Sequence, residues 1–402
     1  MGVTKISRVI VALTFLFALL AVALPALAQT ETVLYSFGSQ SGDGANPYAG
    51  VIWDAEGNLY GTTVNGGANG GANGYGSVFK LTPSGTETVL HSFASNGTDG
   101  VYPYAGLFMD TEGNLYGTTY QGGANGYGTV IKLTPSGTET VLHSFSANGF
   151  DGVYPYGGLV MDTKGNLYGT TEGGGAYGVG TVFKLTPSGT ETVLHSFAPS
   201  GTDGFSLFAG LIMGKKHNLY GTTYAGGKNG YGTVFKMTSS GAETVLYNFC
   251  PRPGCADGEF PYAGLVTDRK GNLYGTTLYG GANNYGTVFE VSATGTHTVL
   301  YNFTGSSTDG YDPFAGLVVD KNGNLYGASA YASGNSYGVV FELSPGKKGA
   351  PWTFKSLHAF ETGSGDGLAP FGTLILDTEG NLYGTTVDGG ANTIGTVFKV
   401  TP

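Results

Sequence analysis

Four carboxylates that interrupt an otherwise regular pattern, Glu172, Asp388, Glu259 and Asp312, are the residues best suited to acid–base work in this chain. A glycosidic bond is cleaved between two carboxyl groups held in unequal environments, so Glu172 with Asp388 is the pair that a polysaccharide hydrolase or lyase would use. A second set suits recognition. Tyr75, Tyr127, Tyr231, Tyr285 and Tyr337 occupy corresponding places among Gly and Asn, with Val179 and Ile394 at the other two. The residues before each Gly pair vary: Val64 and Asn65, Tyr120 and Gln121, Glu172, Tyr224, Leu278 and Tyr279, Tyr331, Val387 and Asp388. Aromatic faces stack on sugar rings, and neighbouring amides and carboxylates hydrogen-bond hydroxyls. The expected binding set is therefore Tyr75, Tyr120, Gln121, Tyr127, Glu172, Tyr224, Tyr231, Tyr279, Tyr285, Tyr331, Tyr337 and Asp388. The alternative is that the recurrent tyrosines only cover neighbouring Gly-rich loops.

The elements that must position these residues come from a repeat. The tetrapeptide Asn-Leu-Tyr-Gly recurs at Asn58, Asn114, Asn166, Asn218, Asn272, Asn324 and Asn381, at intervals of 52 to 57 residues. Each unit holds four short β-type runs, such as AGLFMD, NLYGTT, GTVIKLT and ETVLHSF. Four strands repeated seven times predict an all-β fold, a seven-bladed β-propeller of four-stranded blades. The chain opens on the fourth run type, at Glu31, and closes on the third. An N-terminal strand that joins the C-terminal blade would lock the ring and remove open edges, whereas an open solenoid needs atypical capping repeats. The turns DTEGN and TPSGT place Gly where a left-handed residue must follow a type I turn. Both fall on one face, so the longer loops, between strands two and three and between blades, collect on the other.

The sevenfold pattern GNLYGTT…GG…GTVFKLTPSGTETVLHSF, over about residues 31 to 402, resembles the tandem-repeat family called GloVer, or "choice-of-anchor" repeats, of bacterial surface and secreted proteins. That family carries varied C-terminal anchors, and this chain ends in TVFKVTP without one. The resemblance implies no established activity.

Other polar residues recur and are expected to serve structure. Asp precedes Gly at Asp43, Asp99, Asp151, Asp203, Asp257, Asp309 and Asp366. Seven converging carboxylates would repel one another, whereas Asp before Gly bonds backbone amides in a turn. The aromatics that follow these sites (Tyr48, Tyr104, Tyr156, Phe208, Tyr262, Phe314, Phe371) read as packing between blades. His91, His143, His195 and His358 share a strand position with Tyr35, Tyr247 and Tyr301 and read as interchangeable flat polar side chains. Lysines at the DTEGN-type turns argue against calcium there. No zinc spacing, nucleophile elbow or phosphate loop is present, so neither cofactor nor metal is expected.

Residues 1–28 read as a cleaved secretory signal: Lys5 and Arg8, an uncharged run from Val9 to Leu24, and Ala26-Leu27-Ala28 before Gln29. The expected mature chain, residues 29–402, is one propeller domain, secreted or periplasmic, with 16 basic and 28 acidic side chains. That charge disfavours nucleic acid and anionic membrane as partners. No membrane insertion is expected after cleavage, and the chain should be a monomer. Cys250 and Cys255 should form a small disulfide in an oxidising compartment. The functional expectation is a non-catalytic binding propeller for a glycan or an extracellular or cell-envelope partner. The polysaccharide enzyme and a structural surface protein are the alternatives.

Overall fold

A computed structural model describes residues 30–70, 73–363 and 365–402; the expected leader, residues 1–28, and its cleavage point lie outside them. Each repeat forms one antiparallel four-stranded blade. In blade 2 the strands Phe108–Met109, Leu115–Thr119, Thr129–Leu133 and Glu139–Ser144 follow one another outward from the axis. Blades 1, 3, 4, 5 and 6 repeat this order from inner strands that begin at Ile52, Val160, Ile212, Val266 and Val318. Blade 7 takes Ile375–Leu376, Leu382–Thr386 and Thr396–Thr401 from the end of the chain and its outermost strand, Thr30–Ser36, from the beginning. Glu31 pairs with Val400 and Val33 with Phe398, so the ring closes as the strand order requires.

Two details depart from a plain four-strand reading. The inner run is longer than its ladder: only two residues pair, and the Ala-Gly-Leu before them lines the central channel. Each outermost strand also carries a bulge. In blade 2, Val130 faces His143 while Ile131 faces Val141, which leaves Leu142 as the extra residue.

Packing explains the recurrent residue types. Gly169 pairs with Phe183, and a Cβ on Gly169 would stand 2.6 Å from the Phe183 ring. The glycine of NLYG is thus the space that a buried Phe fills. Between blades, Phe145 meets Phe183 edge-on at 5.2 Å and Phe37 meets Phe79 at 5.1 Å, all four rings fully buried. Buried threonines tie the joints as well: Thr170 Oγ1 donates to the Ala209 carbonyl at 2.7 Å, and Thr385 does the same to Ala49 across the closure. The equivalent residue at the joint between blades 6 and 7 is Ala328, which has no hydroxyl.

The DTEGN turn is closed by its own residues. Asp110 accepts from the backbone N–H of Glu112 and Asn114 with one oxygen and from Asn114 Nδ2 and the Tyr116 hydroxyl with the other. Blade 4 has Gly214 in place of this Asp and makes a 3₁₀ turn over Lys215–His217 instead. Cys250 and Cys255 form the expected disulfide. No helix among the described residues is long and apolar enough to cross a membrane.

Candidate functional site on the loop face

The inter-blade loops and the strand-two-to-three loops meet on one face because they pair with each other. Gly100–Val101 forms a two-stranded ribbon with Gln121–Gly122, and blades 1, 3, 4 and 7 have equivalent ribbons. In blades 5 and 6 single bridges, Glu259 with Tyr279 and Tyr311 with Tyr331, replace them. This pairing carries the variable residues toward the axis.

Beneath them lies an aromatic plug. Tyr48, Tyr104, Tyr156, Phe208, Tyr262, Phe314 and Phe371 touch in sequence around the axis, with centroid separations of 4.7 to 5.5 Å, and Phe371 returns to Tyr48. These rings do pack between blades, and they also converge on the axis. Burial pushes the Tyr156 hydroxyl up to about 12. The plug caps a channel cavity of about 370 Å³ lined by Gly50, Gly106, Gly158, Gly210, Gly264, Gly316, apolar side chains and Thr373. No carboxylate or histidine is among its described lining residues.

One residue before each Pro-aromatic step, or before Leu207-Phe208 in blade 4, the backbone is left-handed. Asn46, Tyr102, Tyr154, Ser206, Phe260, Asp312 and Ala369 have φ between 51° and 61°. Bulky residues rarely adopt that conformation, which costs on the order of 1–3 kcal/mol each. Hydrogen bonds hold it in place: Tyr154 N–H donates to the Tyr127 carbonyl and its own carbonyl accepts from Glu172 N–H. Apart from Asp312 these positions were not picked out as candidates. The signal available was their variability, one residue ahead of a pair that is Pro-aromatic in six of the seven repeats.

The structure separates the expected binding residues into groups. Tyr75, Tyr127 and Tyr231 are half-buried and lean on Tyr102, Tyr154 and Phe260 of the following loop, with Val179 and Ile394 packed likewise in the core. Tyr285, Tyr337 and Tyr279 stay more open, at 43%, 42% and 37% exposure. Gln121 and Asp388 are exposed.

Tyr120 stacks on Tyr154 at 5.0 Å, touches Tyr104 and Tyr156 edge-on, and donates its hydroxyl to Glu172 Oε2 at 3.0 Å. Burial and the Glu172 charge hold that hydroxyl well above the usual tyrosine range. Tyr224 repeats the arrangement without a carboxylate, stacked on Phe260 at 4.9 Å and edge-on to Phe208.

Asp388 belongs to another arc, where Asn46 Nδ2 donates to it at 3.4 Å and Asn65 donates to Asn46. Among the described residues no contact joins Glu172 to Asp388. Desolvation raises the carboxyls of Asp312 and Asp388, and the Tyr331 hydroxyl lies in the field of both.

The Asp-Gly residues face the outer rim. Asp99, Asp151, Asp203 and Asp366 each approach a histidine Nε2, at 3.3, 3.2, 3.1 and 2.9 Å, while Asp43, Asp257 and Asp309 accept a tyrosine hydroxyl. Backbone amides of the same loops also donate to them, for example Ala94 N–H to Asp99.

No curated protein matches the chain. Solved structures align with the chain at low identity. A mutant puromycin hydrolase matches over 90% of this chain and 52% of its own, at 14% identity and a TM-score of 0.50. A candidate 6-phosphogluconolactonase from Bacteroides uniformis matches over 77% and 84%, at 14% identity and 0.49. A candidate gluconolactonase matches over 93% and 92%, at 13% identity and 0.42. A family model described as the Gloeobacter/Verrucomicrobia repeat matches residues 68–256 and again 218–402. With both tandem matches together spanning most of the chain, the protein belongs to the Gloeobacter/Verrucomicrobia repeat family.

Proposed function

We propose that this protein is a secreted binding propeller that recognises a glycan on its loop face without cleaving it. The observation that carries the reading is the Tyr120–Tyr154–Glu172 cluster beside the aromatic plug. Stacked rings offer apolar faces, and a carboxylate already accepting one hydroxyl marks where sugar hydroxyls would be received. The cluster breaks the sevenfold pattern, as a specificity element must. A plug over an apolar channel favours binding across the surface rather than insertion along the axis. A polysaccharide enzyme would need Glu172 and Asp388 to act on one bond, and each has its own separate partners.

A screen of the purified protein against immobilised glycans and soluble polysaccharides, scoring retention and released reducing ends, tests the proposal. Saturable retention without new reducing ends is the expected result. Released ends would establish the enzyme reading, and absence of both signals would turn attention to an extracellular protein partner.

A further inference from the structure

At the outer rim the same three residue types meet across blade boundaries. His91 of blade 1, Asp99 of the following loop and Glu139 of blade 2 bring an imidazole nitrogen and two carboxylate oxygens within 4.8 Å of one another. His143, Asp151 and Glu191 repeat this between blades 2 and 3, and His358, Asp366 and Glu31 between blades 6 and 7. We infer that the first two of these clusters are divalent metal sites of the zinc class, each clamping one blade to the next.

The hydrogen bonds leave the clusters incomplete. Asp99 and Asp151 are only 6% and 7% exposed, and the Oδ1 of each is buried with no donor reaching it among the described residues. Glu139 Oε1 and Glu191 Oε1 are in the same condition. A buried oxygen without a donor loses its hydration for nothing, and here two carboxylates share that condition at each joint. With both carboxylates ionised, even a protonated histidine leaves each cluster with one excess negative charge. A divalent ion beside a neutral imidazole balances it.

An imidazole with two carboxylates suits zinc and its first-row neighbours better than calcium or magnesium, which favour oxygen alone. The His143 Nε2–Asp151 Oδ2 separation of 3.2 Å is close to the edge of a tetrahedral site with bonds of about 2 Å. A cleft of about 750 Å³ lined by His143, Asp151, Glu191, Ser196 and Phe150 provides an entry path and room for a fourth ligand.

The chain contains its own comparison. At two of the three joints where Tyr replaces His the Glu is replaced as well, and at the third, one Glu87 oxygen has its own donor while the other, Oε1, has none among the described residues. Beside Tyr247 stands His297; beside Tyr301 stands Phe354; beside Tyr35, Glu87 accepts from Gln40 Nε2 at 2.6 Å. Of the four joints that keep all three residue types, the first two leave the second Asp oxygen without a donor among the described residues, whereas between blades 6 and 7 Asp366 Oδ1 accepts from Gly367 N–H. Between blades 3 and 4, His195, Asp203 and Glu243 are present, but the second Asp203 oxygen already accepts from Gly204 N–H.

The test is titration of the chelator-treated full chain with Zn²⁺ by calorimetry, with metal analysis and Co²⁺ absorption as a second readout. Two or more equivalents are expected, with a tetrahedral Co²⁺ spectrum. His143→Tyr, which installs the side chain that blades 4, 5 and 7 carry at this position, should fold and lose one equivalent. Glu139→Gln should lose another, and His217→Ala should lose none. Absence of saturable uptake by the unmodified chain overturns the inference, as does unchanged stoichiometry in both rim variants. A higher melting temperature for Glu139→Gln with no change in metal uptake also overturns it and assigns the cluster a shared proton instead.

Discussion

Tyr156 and Tyr262 meet across the propeller axis, ring centroids 5.9 Å apart, although the whole of blade 4 separates the blades that carry them. Together with the seven-ring circuit, this contact closes the channel toward the loop face. Tyr262→Ala should destabilise the protein by about 2 kcal/mol, below the cost of a fully buried ring because Tyr262 is half-buried. Tyr262→Phe should cost about 1 kcal/mol or less, since it keeps the ring contact and gives up only the interaction of the Tyr262 hydroxyl with that of Tyr156. Urea denaturation measures both; equal stability of the two variants would contradict a packing role for the plug.

The closure strand should be indispensable. Removing residues 30–37 strips Leu34, Tyr35 and Phe37 from the joint between blades 7 and 1 and bares the edge of Thr396–Thr401. An exposed edge invites pairing with another chain. Size-exclusion chromatography should show association of the shortened chain, and calorimetry a lowered or broadened transition. A monomer with an unaltered melting temperature would refute the latch.

His297 should make stability depend on mildly acid pH. It lies flat on Tyr247 at 4.2 Å, and burial pushes its imidazole down to about 4. The unfolded chain protonates at about 6.5, so the neutral folded form contributes stability above that pH and loses it as pH falls from 6.5 through 4. The full loss is about 3 kcal/mol. His297→Phe, the residue type at the equivalent Phe354, should flatten the difference in melting temperature between pH 7 and pH 4.5; a variant with the wild-type slope would assign that slope elsewhere.

Recognition should be polarised toward one arc of the loop face. Glu172→Gln weakens charge-assisted bonds to Tyr120 and to any sugar hydroxyl, so affinity for a retained glycan should fall about tenfold or more. Tyr75→Phe, at a ring that leans on Tyr102, should stay within about twofold. The reverse order would move the binding surface away from blades 2 and 3.

Local and periodic features were legible in the residues. Alternation within six-residue runs, turn residues at constant offsets and seven copies of NLYG determine strand number, blade number and the closing strand, because each depends on a few neighbouring residues or on counting. The structural role of Asp110 was also within reach, since its partners Glu112, Asn114 and Tyr116 lie within six residues of it.

What sequence could not determine is which side chains meet. Tyr120 and Glu172 are 52 residues apart, Asn46 and Asp388 are 342 apart, and neither pair belongs to a motif. Tyr102 and Tyr154 carry a backbone conformation that tyrosine disfavours, so no local preference announces it. Glu139 reaches His91 and Asp99 only because the outermost strands of adjacent blades lie against one another. The short-range terms that make strands act within a few residues, so the sequence alone determined the propeller. Convergence of loops on an axis, and of rims across a joint, exists only once seven blades have closed into a ring.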